Sequence, residues 1–122
     1  MKRRARLRRR GDIQRVLRSR RVLVGPGMVA YARAAPVGGL RVAVAISRNV
    51  KGAVRRNRVR RRLREAARAG LLGSDSHADD LGIGYDVVVI GRPAALDMAF
   101  ADLVAAMMTI RRRLGNGEAG RA

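Results

Sequence analysis

Residues 40–69 read LRVAVAISRNVKGAVRRNRVRRRLREAARA, and the apolar period changes within them. Val42, Val44 and Ile46 alternate at period two, the spacing of a strand with one face in a core. Beyond Ser47 the spacing lengthens. Val59, Leu63, Ala66 and Ala67 fall at i, i+4, i+7 and i+8, which places one apolar stripe on a helix running from Lys51 to Ala69. The next apolar run, Tyr85 to Ile90, is the unbroken YDVVVI, which suits a strand buried on both faces, and Gly91-Arg92-Pro93 closes it.

Upstream, residues 1–11 are a block of like charge, expected to form a flexible basic arm. Asp12 is placed to cap a short helix on which Ile13, Val16 and Leu17 share a face. Val22 to Val24 and Met28 to Arg33 read as strands joined by the Gly25-Pro26-Gly27 reversal, and Pro36, Gly38 and Gly39 mark a second turn. Downstream, Gly70 to Gly84 lose all periodicity and read as a loop. Its Asp75, Asp79 and Asp80 lack calcium-loop spacing and a closing glutamate, and His77 has no companion ligands. A last helix carries Leu96, Ala99, Phe100, Leu103, Val104, Met107 and Ile110, with Arg111 to Arg113 at the negative end of its dipole. The order αβββαβα predicts an α+β fold: a single-domain two-layer sandwich, helices packed on a small sheet, over residues 12–114, with 115–122 a frayed tail.

A chain of 122 residues fits one domain. It is 48% hydrophobic but only 2% aromatic, so Ala, Val, Leu, Ile and Met must fill a thin core. Basic residues number 28 against 9 acids, for a net charge of +19, which calls for a polyanionic partner. Only Lys2 and Lys51 are lysines, leaving 26 arginines, whose forks hold phosphates bidentately. The absence of cysteine removes disulfides, thiolate zinc sites and cysteine nucleophiles. The basic N-terminus lacks an apolar run of signal or membrane-span length, and a cytoplasmic location is expected.

The arginines of the central helix are phased against its apolar stripe. Asn57, Arg61, Arg64 and Arg68 recur at i, i+4, i+7 and i+11 opposite Leu63 and Ala66, with Arg58 and Arg60 flanking them. Each like-charge pair at such spacing costs roughly 0.2–0.5 kcal/mol, and Glu65 is the only acid present to offset it. A nucleic acid would relieve that repulsion. A membrane surface fits less well, because Val59, Leu63 and the alanines form a modest apolar face without Trp or Phe. Arginine positions phosphates but does not titrate, and the chain offers no general acid–base pair.

The stretch from Ala43 to Arg68 resembles the signature of the bacterial ribonuclease P protein family. Ser47, Arg48, Gly52, Ala53, Val54, Arg56, Asn57, Arg58, Arg60, Arg61, Leu63, Arg64 and Glu65 occupy the places of its Ser-x-Lys/Arg step, glycine, Ala-Val pair, Arg-Asn-Arg core and basic helix. Arg6-Leu7 followed by Asp12 and Val16, and Tyr85 to Pro93, are similar to the family's flanks. The resemblance implies a left-handed βαβ crossover around the arginine helix. It also implies a subunit of the ribonucleoprotein endonuclease that removes the 5′ leader from precursor tRNA. The catalytic groups and magnesium would lie with the RNA, and the protein alone would hold no cofactor. The partners implied are the catalytic RNA subunit and precursor tRNA. Arg56, Asn57, Arg58, Arg60, Arg61 and Arg64 would contact the catalytic RNA, on a basic surface continued by Arg48, Lys51, Arg55 and Arg68. Ile13, Leu17, Tyr31 and Arg92 map to the cleft for the leader. The family often has Phe where this chain has Ile13 and Leu17, so Tyr31 is the ring retained there.

Two other functions share the charge and fold class. A structural RNA binder of ribosomal type needs no particular Asn and Gly placement, so the ordered Ser-Arg, Gly, Ala-Val, Arg-Asn-Arg series argues against it. A DNA-coating protein would lack a preference for A-form shape.

Overall fold

The computed structural model describes residues 6–35, 39–72 and 84–121. Among them the elements follow the expected order: α1 Arg10–Leu17, β1 Arg20–Val24, β2 Met28–Ala35, β3 Leu40–Ile46, α2 Ala53–Ala67, β4 Gly84–Gly91 and α3 Phe100–Gly115. A π-helical turn, Arg68–Leu72, prolongs α2, and a 3-10 turn, Pro93–Leu96, separates β4 from α3.

The strands lie in the order β1-β2-β4-β3. β2 pairs antiparallel with β1 and β4, whereas β3 runs parallel to β4. Parallel neighbours cannot be joined by a hairpin, so the chain between them crosses over the sheet, and α2 lies in that crossover. Alternation along the strands sends Met28, Ala30 and Ala32 of β2, Leu40 and Val42 of β3, and Val87 and Val89 of β4 to one face. There they meet Val59, Leu63, Ala66 and Ala67 of α2 and Leu103, Met107, Ile110 and Leu114 of α3 in the main core. Val88 points the other way, into a smaller cluster with Leu7 and Val16 of α1. β4 is therefore covered on both sides, as its unbroken apolar run predicts. The expected α+β sandwich is present, and α1 adds a short layer on its second face. A bulge between Arg21 and Leu23 lets both Val22 and Leu23 turn towards the main core.

Two glycines set how closely the layers approach. A Cβ on Gly91 would lie 2.5 Å from Val59 Cγ1 and 2.7 Å from Leu63 Cδ1, so its absence lets α2 settle on the end of β4. A Cβ on Gly70 would meet the Val104 carbonyl oxygen at 2.6 Å, so the π turn reaches α3 by the same means. The buried ring in this aliphatic core is Tyr85, whose hydroxyl donates to the Leu114 carbonyl at 3.2 Å.

Several local expectations are corrected. Asp12 does not cap α1: Arg9 holds that position without a side-chain cap, and Asp12 sits in the first turn, paired with Arg15 at 2.8 Å. The start of the helix is set instead by Leu7, which is buried and donates its N–H to the Val42 carbonyl at 2.9 Å. Within the segment expected to form the basic arm, Arg6 also bridges Val42 along the outer edge of β3. Residues 1–5 lie outside the described residues. Leu17 is 37% exposed, because α1 is a single short helix and its neighbour Val16 takes the inward direction.

In the segment expected to form the tail, Gly120 lies beside β2. Ala34 N–H donates to the Gly120 carbonyl at 2.6 Å and Gly120 N–H donates to the Ala32 carbonyl at 3.0 Å. β1 pairs with β2 only as far as Ala32, which leaves these backbone groups open for the tail. The buried stripe of α3 begins at Leu103 and ends at Leu114, while Leu96 belongs to the 3-10 turn and Phe100 is 44% exposed. Arg62 holds the break by donating to the Met98 carbonyl. Gly70, Leu71 and Leu72, expected to open the loop, belong to the π turn instead, with Gly70 and Leu71 buried. Asp75, His77, Asp79 and Asp80 lie outside the described residues.

Candidate nucleic-acid interface

α2 begins at Gly52, whose φ of 87° belongs to the left-handed region that glycine adopts without strain. No side chain caps the helix. Its inward stripe, Val59, Leu63, Ala66 and Ala67, is fully buried against the sheet and α3. The opposite side carries Asn57, Arg58, Arg61, Arg64 and Arg68, all exposed, as their phasing predicts. Arg60 is half-buried and donates to the Asn57 side-chain oxygen at 2.8 Å, which orients both. Arg68 pairs with Glu65 at 2.8 Å, and this hydrogen bond holds the Glu65 carboxyl below its ordinary value. Both groups are solvated, so the pair contributes little to stability.

Burial first, then the charges of Arg6 and Arg60, hold the Arg64 guanidinium below the ordinary arginine value. Arg6 thus belongs electrostatically with α2, although it lies far from it in sequence. The signal that could have found it is the Arg6–Leu7 alternation: a buried Leu7 requires its neighbour to point the other way.

Arg48, Lys51 and Arg55 are exposed on the β3–α2 loop and the first turn, continuous in sequence with the arginine face. Arg56 is different. Its Nη1 donates to the carbonyls of Ser47 at 3.0 Å and Val50 at 3.1 Å, so its guanidinium closes the loop that leads into α2. Nine of the ten residues expected on the basic surface therefore leave their polar groups outward or on neighbouring side chains of α2, and Arg56 turns to the backbone.

The second face of the sheet forms a shallow trough beside α1. Ile13, Tyr31, Ala43 and Ile90, all half-buried, pack around the Leu7–Val16–Val88 cluster. Arg21 pairs with Tyr31 across β1 and β2, and its guanidinium carbon lies 5.9 Å from the centre of the Tyr31 ring. Leu17 stands at the exposed end of α1. Arg92 follows two residues after Ile90, just past the end of β4. There its Nη1 donates to the Gly25 carbonyl at 3.0 Å and holds the β1–β2 turn.

Across the same face, Arg41 grips Asp86 bidentately, with Nε and Nη2 at 2.8 Å and 2.9 Å from its two oxygens. The hydrogen bond to Asp86 raises the Arg41 pKa above its ordinary value against the opposing effect of burial. Sequence reading missed this pair, which the β3–β4 register brings side by side. Among the described residues, no three His, Cys, Asp or Glu side chains converge as a metal site. No helix among them is long and apolar enough to cross a membrane.

The family model described as Ribonuclease P matches residues 1–115. The chain is 37% identical over 117 residues to the ribonuclease P protein component of Paramagnetospirillum magneticum, covering 90% of this chain and 82% of that protein. It is 44% identical over 92 residues to that of Ruegeria pomeroyi, covering 72% and 67%. Its fold is similar to the solved ribonuclease P protein of Thermotoga maritima, with a TM-score of 0.68 at 23% identity over 88% of this chain and 96% of the other. On the strength of the sequence matches, with the fold in agreement, this chain belongs to the ribonuclease P protein family.

Proposed function

We propose that this chain is the protein subunit of ribonuclease P, binding the catalytic RNA through the outer face of α2 and the 5′ leader of precursor tRNA in the trough beside α1. The observation that carries the reading is the phasing of α2: exposed Arg58, Arg61 and Arg64 stand opposite a fully buried apolar stripe. Such a face neutralises a phosphate backbone without sequence readout, the mode suited to a folded RNA. The catalytic groups and magnesium belong to the RNA. The arginines clamp phosphates in fixed positions, and the complex acts in the cytoplasm as an endonuclease that matures the 5′ end of tRNA.

In the trough, Tyr31 offers a stacking surface to a single-stranded leader base, flanked by the apolar Ile13, with Leu17 at the rim. The test is the affinity of the assembled protein–RNA complex for precursor tRNA against mature tRNA. A preference for the precursor is expected, and Tyr31→Ala should reduce it about tenfold, the worth of one stacked base. Equal affinity for both tRNAs in the unaltered protein would refute leader binding.

A further inference from the structure

The N-terminal segment and α2 meet at the outer edge of β3. Arg6 bridges Val42 there, and the N–H of Leu7 donates to the Val42 carbonyl at 2.9 Å. Leu7 is buried on the α1 side of the sheet with Val16 and Val88. In extended backbone successive side chains point to opposite faces, so Arg6 is directed towards the α2 side. Val42 itself packs in the main core with Val59 and Leu63 of α2, so the strand that Arg6 borders is the one that α2 covers. Arg60 and Arg64, one turn apart, lie on the same helix. Among the described residues, none of the three is paired with a carboxylate.

We propose that Arg6, Arg60 and Arg64 together form a socket for one phosphate group of an RNA backbone, built where the N-terminal segment docks against α2. This rests on the reading of α2 as an RNA-binding face and adds a member from outside the helix. The three guanidinia present donors from two chain segments. A phosphate, with several acceptor oxygens and a charge near −1 in a diester, satisfies more than one of them at once. Without a phosphate the three repel. The buried Leu7 keeps Arg6 in place despite that repulsion, so the socket exists before RNA arrives.

The experiment measures binding of a bacterial ribonuclease P RNA transcript across a salt series, together with thermal unfolding of the free protein at low salt. The proteins compared are the full chain, Arg6→Gln, Arg64→Gln and the double variant. Arg6→Gln is expected to weaken RNA binding about tenfold, the worth of one charge-assisted hydrogen bond. It should also reduce the log–log salt slope by about 0.7–0.9. The melting temperature of the free protein should rise by about 1–2 °C, because a like charge is removed. The double variant should lose less than the product of the two single losses, since both side chains serve one phosphate. If the unaltered chain fails to bind the transcript, the reading of α2 fails with it. If the chain binds but Arg6→Gln leaves affinity and slope unchanged, the socket is wrong. If affinity and melting temperature fall together, Arg6 acts as a structural prop, and the socket is equally wrong.

Discussion

Arg56 and Arg61 lie five residues apart on one helix and answer to different demands. Arg56 donates to the Ser47 and Val50 carbonyls, whereas Arg61 reaches solvent. The same division recurs across the molecule. Arg62, Arg111 and Arg113 donate to the carbonyls of Met98, Leu71 and Val22, and so tie α2 and α3 to their surroundings. An arginine that satisfies a part-buried carbonyl leaves it orphaned when truncated. Arg56→Ala should therefore lower stability by about 1–3 kcal/mol in urea unfolding. Arg61→Ala should change stability by less than about 0.5 kcal/mol while weakening RNA binding. Reversal of that order would place Arg56 on the interface and Arg61 in the scaffold. Gly91 tests packing at the same scale. Gly91→Ala forces a methyl against Val59 and Leu63 and should cost about 1–3 kcal/mol in the same assay.

The elements show which signals were local enough to read. The change of period between Val42–Ile46 and Val59–Ala67 gave β3 and α2 directly, because side-chain direction in each depends only on backbone geometry. The apolar run of β4 was legible for the same reason. The beginning of α1 was not, since it is fixed by Leu7 docking on Val42, a contact across more than thirty residues. The seating of Gly120 on β2 was equally hidden, because it is made by backbone groups that no side-chain pattern reports. In the candidate site, phasing identified the outward face of α2, but charge alone could not show that Arg56 points to carbonyls or that Arg6 sits at the edge of β3. Arg92 was grouped with Tyr31 by resemblance, and no pattern in the strand showed that its guanidinium donates to the Gly25 carbonyl. If the α2 face releases counterions from RNA, log affinity should fall linearly with log salt, with a slope of about −0.7 to −0.9 for each phosphate neutralised. Arg58→Ala with Arg61→Ala should make it shallower by nearly two such steps. A flat dependence in the unaltered protein would remove the basis for the interface.

Taken whole, the molecule carries a net charge of +19 on a small aliphatic core. Self-repulsion of that size opposes compactness, and a polyanion that binds only the folded chain shifts the balance back by mass action. The two faces of the sheet divide the work: α2 and α3 complete the main core and turn arginines outward, while α1 leaves a trough around Tyr31 on the other side. On the function proposed for it, one sheet would hold two RNA segments at once, the catalytic RNA on one side and the leader on the other. The most direct test is cleavage of precursor tRNA at low magnesium by a bacterial ribonuclease P RNA, with this protein, without it, and with the protein alone. The account predicts cleavage at the mature 5′ end only when RNA and protein are combined. Unchanged cleavage on adding a protein that still binds the RNA would contradict it.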